Sequence, residues 1–467
     1  MNWLRRGRER KSLQSKIDEL GVMTRRRFLA ISATFASLAA APAWAQAGPG
    51  ALDAATLGVK PGDADQSRAL AKALERAARE GRPLVLGPGL YRVAGVALPD
   101  GAVLIGVGET TRIELVGASP LFFAKGAKRV ALRGLTLHGA NIPADQNSGL
   151  VEADGVAALT FDDVVVSGAG ASALVMRGSG GAFRASRFEG ARQAALFSMD
   201  GLGVSVTDCV ILNCRNNGVL IRRTTKGDDP SIVSRNRIED TGALDGGLGW
   251  NGNAVNVSKA SGVMISGNAI RRSAFTAVRA HESDDVMISN NLCLDSGETC
   301  LYSEFGFSGA VISGNLIDGA ASGIAVANFN EGGRMGTVVG NVVRNLFRRP
   351  KLDGPGDSYG QGIGVEADVA VTGNVVENAA AAGVSAGWGP YLRDVTISGN
   401  VIRSCDVGIS VSVVEGVGPT TIVGNTVTGS RRGAVLGYRW NEVATPDLAI
   451  GGVAGMAGLT VAQNTLR

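Results

Sequence analysis

Apolar and polar residues alternate through Val263-Met264-Ile265-Ser266-Gly267-Asn268-Ala269-Ile270, and the same phrase keeps returning along the chain. Close copies begin at Val286, Ala310 and Val395, and looser ones at Val338, Val369 and Thr421. The alternation predicts a short strand with one buried face, and the Gly-Asn pair predicts a bend. The aligned asparagines Asn268, Asn291, Asn315, Asn341, Asn374, Asn400 and Asn425 are spaced by 23 to 26 residues, apart from one gap of 33. A second short strand follows each bend, as in Ala254-Val255-Asn256-Val257 and Gly323-Ile324-Ala325-Val326. Repeats of this length, rich in β-branched residues, predict a solenoid in which each repeat is one coil. Asn tolerates the left-handed backbone region, which suits it to the bend. Its amide is expected to bond its copies about 4.8 Å away in the flanking coils.

Strands joined to their own copies one coil later are parallel, and their inward residues stack into one core. The expected fold is therefore all-β, a single-stranded right-handed parallel β-helix (solenoid) with an N-terminal capping helix. Degenerate coils at 130–139, 159–168, 182–190, 205–214 and 459–466 bring the total to roughly twelve to fourteen, enough for a continuous core. Within 68–80, Leu70, Ala73, Leu74 and Ala77 recur at helical spacing before Gly81. Such a helix would cover the open end of the core.

The 67 glycines suit tight bends, and no apolar run reaches the ~20 residues of a membrane span. The formal charge of +4 is misleading, because residues 1–45 hold nine of the 46 basic and three of the 42 acidic residues. The remainder carries 37 basic against 39 acidic residues and shows no general footprint for nucleic acid. The five cysteines, Cys209, Cys214, Cys293, Cys300 and Cys405, form no CxxC pair and read as small core residues.

Thr24-Arg25-Arg26-Arg27-Phe28-Leu29 precedes the apolar run 30–43 and the small-x-small site Ala43-Trp44-Ala45. This order resembles a twin-arginine signal peptide. It implies the twin-arginine translocase as a partner during export and a periplasmic or secreted destination. Met23 stands directly before the motif as a second possible start. The expected organisation is a signal peptide at 1–45, a cap of helix and first strands at 46–104, and the β-helix at 105–467. Leu84-Val85-Leu86, the turn Gly87-Pro88-Gly89 before Tyr91, and Leu98-Pro99-Asp100-Gly101 resemble the first coil of pectate-lyase-superfamily proteins. With the arginine pair and the Ser-Gly-Asn coils, the whole chain is similar to the twin-arginine-translocated repetitive proteins, a right-handed β-helix family. The resemblance implies a fold and a compartment and supplies no catalytic residues.

Candidate chemistry comes from strand parity. Aligning the strands that follow the bends on Val255, Val278, Leu301, Ile324, Ile363, Val384 and Ile409 points these residues inward. The outward positions are then Asn256 and Ser258, Arg279 and His281, Tyr302 and Glu304, Ala325 and Ala327, Gly364 and Glu366, Ser385 and Gly387, and Ser410 and Ser412. Charged and aromatic groups surrounded by tiny residues predict a shallow cleft on an exposed face. The candidate catalytic residues are Glu304, Glu366, His281 and Arg279. Glu304 and Glu366 share one column two coils apart, about 9.6 Å at ~4.8 Å per coil. That is close to the ~6.5–9.5 Å carboxyl separation of inverting glycosidases. His281 stacks over the Glu304 column as a possible acid/base partner. In a lyase, Arg279 or His281 would take the proton beside a uronate carboxylate. Tyr302, Asn328, Asn330, Arg334, Trp388 and Tyr391 are candidate glycan contacts, with aromatic rings for stacking and Arg279 and Arg334 for carboxylates.

The doublets Asp162-Asp163, Asp228-Asp229 and Asp284-Asp285 have no further acidic partner in their columns, so neither a metal nor a cofactor is indicated. Two functions fit: an exported hydrolase or lyase acting on acidic polysaccharide, or a non-catalytic envelope protein that binds glycan or a partner along the same face.

Overall fold

The computed structural model describes residues 50–118, 120–247, 249–328, 332–350 and 357–467. The expected signal peptide lies outside them. The described chain is a parallel β-solenoid of about 14 turns. Each regular coil contributes three strands, one to each of three parallel stacks that line a shared core. In the first stack Ile265 pairs with Ile288 and Ile288 with Ile312. In the second, Ile270 pairs with Cys293 and Cys293 with Ile317. In the third, Val278 pairs with Leu301 and Leu301 with Ile324. All of these side chains are buried. So are Ile324, Val326, Ile363 and Val365, as strand parity requires. Sequence periodicity separates the first and third strands. The second, such as Ala269–Ser273, is distinct because the Gly-Asn bend turns the chain sharply before it.

The asparagines stack as expected. The backbone N–H and Nδ2 of Asn291 both donate to Oδ1 of Asn315, at 2.9 and 3.0 Å, and Nδ2 also donates to the Ile265 carbonyl at 3.1 Å. The ladder reaches beyond the seven aligned positions, to Asn236 at one end and Asn464 at the other. Each amide thus satisfies backbone groups that a corner would otherwise leave unpaired in the interior. The bend itself differs from expectation. The left-handed residue is the one before the ladder: Gly267 at φ 66°, Asn290 at 55° and Gly314 at 64°. The ladder asparagines keep negative φ, because their side chains must point into the corner.

Helix α1, Ser67–Arg79, buries Leu70, Ala73, Leu74 and Ala77 against the end of the core. The strands Leu84–Val85, Gly89–Val93 and Val96–Ala97 already pair in parallel with Val103–Ile105, Thr111–Leu115 and Phe122–Lys125. Coil stacking therefore begins upstream of residue 105. Among the described residues no helix is long and apolar enough to cross a membrane. All five cysteines are buried and free.

Among the described residues, three of the insertions that interrupt the repeat border the third stack beside the candidate site. One is the loop between Arg237–Thr241 and Asn253–Ser261. Another contains the antiparallel pair Arg348–Pro350 and Asp357–Tyr359, which accounts for the 33-residue gap. The last holds Glu442–Asp447, which folds back antiparallel on Gly433–Arg439, itself a regular third-stack strand paired with Val407–Ser412.

Candidate functional site

The outer face of the third stack carries two clusters. In the first, register places Arg279 beside Tyr302 and His281 beside Glu304 in adjacent coils. Arg279 Nε donates to Glu304 Oε1 at 2.7 Å and Nη2 to Oε2 at 2.9 Å. His281 Nδ1 lies 2.9 Å from Glu304 Oε1, and its Nε2 lies 2.9 Å from Glu282 Oε1. The Phe305 ring meets the imidazole edge-on at 5.3 Å. Arg279 sits 5.1 Å from the centre of the Tyr302 ring. Arg279, His281 and Glu304, with Gly249, Trp250, Asn256 and Ser258, border a small cavity of about 80 Å³.

The expectation that Glu304 and Glu366 are exposed is corrected, since they are 1% and 7% accessible. A position that points away from the core need not meet solvent when the preceding coil lays long side chains over it. Burial pushes the Glu304 carboxyl up, but the His281 hydrogen bond and the Arg279 charge outweigh burial and hold it below the ordinary carboxylate value. The Glu304 hydrogen bond raises the His281 pKa against the opposing effect of burial, and the charges of Glu304 and Glu282 add to the rise. Burial, with the Glu304 charge adding to it, raises the Tyr302 phenol. One face of that ring is taken by Arg279.

The second cluster surrounds Glu366. Its Oε2 accepts the Asn328 N–H at 2.7 Å, and Asn328 Nδ2 donates to the Gly333 carbonyl at 2.8 Å. Asn328 is fully buried, so it positions Glu366 rather than meeting a glycan. Glu366 opens onto a groove of about 920 Å³. Its floor is made of Ser385, Gly387, Ser410 and Ser412, and its walls include Tyr359, Trp388, Tyr438 and Trp440. Trp388 and Trp440 meet edge-to-face at 5.5 Å. Gly389 permits that approach, since a Cβ there would lie 2.5 Å from the Trp440 ring.

The remaining candidates fall elsewhere. Arg334 is exposed at the start of Arg334–Val339, in the first stack. Tyr391 is half-buried in the short 3-10 turn Gly389–Tyr391 and does not border the groove. Asn330 lies outside the described residues. The candidates thus divide between two neighbouring cavities instead of one groove. Tyr438 holds the outward position beside Ser412, one coil past the last strand aligned, whereas Trp250, Tyr359 and Trp440 escape strand parity because insertions supply them. Their signal is the lengthened repeat. Among the described residues, no group of three or more His, Cys, Asp and Glu side chains converges as a metal site.

No protein-family model and no curated protein matches the chain. Solved structures do. The N-terminal fragment of bacteriophage phi29 gene product 12 is 16% identical with a TM-score of 0.57, covering 88% of this chain and 74% of that one. That likeness shows the fold, and the chain is a parallel β-helix protein. Further matches are PfbA, a surface adhesin of Streptococcus pneumoniae, and the catalytic unit of a GH87 α-1,3-glucanase from Streptomyces thermodiastaticus. The adhesin is 15% identical with a TM-score of 0.43, covering 85% of this chain and 96% of its own. The glucanase is 14% identical with a TM-score of 0.39, covering 90% and 69%.

Proposed function

We propose that the protein is an exported carbohydrate-active protein that binds a polysaccharide along the outer face of the third stack and cleaves it there by hydrolysis or elimination. The observation that carries this is the groove beside Glu366, where four aromatic side chains rise from a floor of serine and glycine. Aromatic faces beside hydroxyl groups suit sugar rings, which present apolar C–H faces and polar rims. Because Glu304 is held ionised, it cannot donate a proton near neutral pH, and the general-acid role falls to His281 with its raised pKa. Arg279 is committed to Glu304 and serves to fix that carboxylate. Glu366 is the second carboxylate of the pair. Export by the twin-arginine route, and membership of the twin-arginine-translocated repetitive proteins, complete the proposal on the strength of residues 24–45.

Non-catalytic glycan binding is the second reading, favoured by the bonding of Glu304, whose oxygens are already engaged by Arg279 and His281. Titrating purified protein with acidic and neutral oligosaccharides, while assaying new reducing ends and unsaturated products, separates the two. Binding with products supports catalysis, and binding without them supports the second reading. Trp388→Ala is expected to weaken binding about tenfold, or about 1.4 kcal/mol. Unchanged affinity in that variant would remove the groove as the binding site.

A further inference from the structure

The outer column that holds His281 and Glu304 continues through Ser258 to Arg222, one coil further on. Two guanidinium groups beside the site lack a carboxylate in ion-pair reach among the described residues: Arg348, which is exposed and donates to the Ala380 carbonyl, and Arg222, which is partly withdrawn from water. Arg279 is paired with Glu304, and Arg432 lies 3.7 Å from Asp406. Arg222 has no carboxylate in ion-pair reach among the described residues, and burial alone accounts for its pKa, pushed down to about 10. Its Nε is buried without a hydrogen-bond partner. A cation partly withdrawn from water with no counter-ion is an unmet electrostatic demand.

Its surroundings are built to hold it in place. The guanidinium carbon lies 4.1 Å from the centre of the Trp250 ring and 5.9 Å from that of Phe197. The loop that carries Trp250 is pinned to the sheet. Asn217 donates to the Trp250 carbonyl at 3.1 Å, while Asn253 and Asn256 donate to the Gly249 carbonyl at 3.1 and 2.9 Å. With a ring against its face, a guanidinium offers its edge, where a planar carboxylate can accept two parallel hydrogen bonds. Trp250 and Ser258, which frame Arg222, also border the cavity of about 80 Å³, whose lining does not include Arg222 itself.

Resting on the glycan-binding reading, we propose that Arg222, framed by Trp250 and Ser258, is a subsite for a carboxylate substituent of the bound polysaccharide. The chain then recognises a uronate-containing glycan, and the recognising cation is Arg222 rather than Arg279 or Arg334.

Calorimetric titration of the full chain with uronate oligosaccharides and their carboxyl-reduced counterparts tests this. The wild type is expected to bind the uronate forms about tenfold tighter, with the preference shrinking as salt is raised. Arg222→Gln should abolish the preference and leave affinity for the reduced forms unchanged. Arg222→Lys keeps a cation against Trp250 and should retain part of it, which guards against a folding defect in the glutamine variant. Equal wild-type affinity for both forms, or a preference that survives Arg222→Gln, overturns the subsite while leaving the glycan site standing. Failure to bind either form overturns both.

Discussion

Arg279 grips Glu304 through two parallel hydrogen bonds of 2.7 and 2.9 Å around a carboxylate that is 1% accessible. The pair is structural whatever else it does. Glu304→Gln leaves the Arg279 charge facing a neutral amide in a buried place and should cost about 3 kcal/mol, read as a lower urea midpoint with an unchanged slope. A midpoint equal to wild type would show that water screens the pair.

His281 gives the stability a signed pH dependence. Its pKa is raised in the folded state, so its contribution is complete below its ordinary value of 6.5 and is lost as pH climbs through the raised value. The pKa of Glu304 is depressed, so its contribution is complete above 4.5 and is lost as pH falls through the lowered value. The stability gap between wild type and His281→Gln should therefore be widest between 4.5 and 6.5 and narrow on the alkaline side. Chemical denaturation across that range measures it. A gap that stays flat as pH rises would mean that the imidazole is uncharged.

The asparagine ladder predicts a positional gradient. Asn315→Ala removes an oxygen that accepts two hydrogen bonds and an amide that donates two, all buried, at a cost of about 2–4 kcal/mol. Asn464→Ala, at the partly exposed last rung, should cost about 1 kcal/mol. Equal losses in thermal or urea unfolding would contradict a ladder whose inner rungs are the drier ones.

Export is tested in the cell. Replacing both Arg25 and Arg26 with Lys should leave full-length precursor in the cytoplasm, as seen by immunoblotting of fractions. Processed protein still reaching the periplasm would dispose of the twin-arginine assignment.

The fold is legible in the sequence because Val, Ile, Gly and Asn recur in fixed order, and each occurrence repeats one physical instruction: inward, outward, bend, stack. Ile324 and Val365 are where strand parity puts them for this reason. The site is less legible. Parity shows that Glu304 leaves the core, but it cannot show that Arg279 and His281, one coil away, close over it. Nor does a repeat describe its own interruptions. Trp250, Tyr359 and Trp440 come from insertions with no copy elsewhere in the chain, and they border the small cavity and the groove. Asn328 shows the opposite error, since its polarity suggested a ligand contact while its amide is spent on the Gly333 carbonyl.

The ladder from Asn236 to Asn464 also has a direction. From Asn236 to Asn425 each Nδ2 donates to the side-chain oxygen of the coil that follows, so every accepting oxygen in the ladder faces the preceding coil. The amide dipoles are thus aligned head to tail along the solenoid axis, and each polarises the next. The interior carries a one-way electrical polarity much as a helix does, and its two ends present opposite partial charges to whatever coil or partner abuts them.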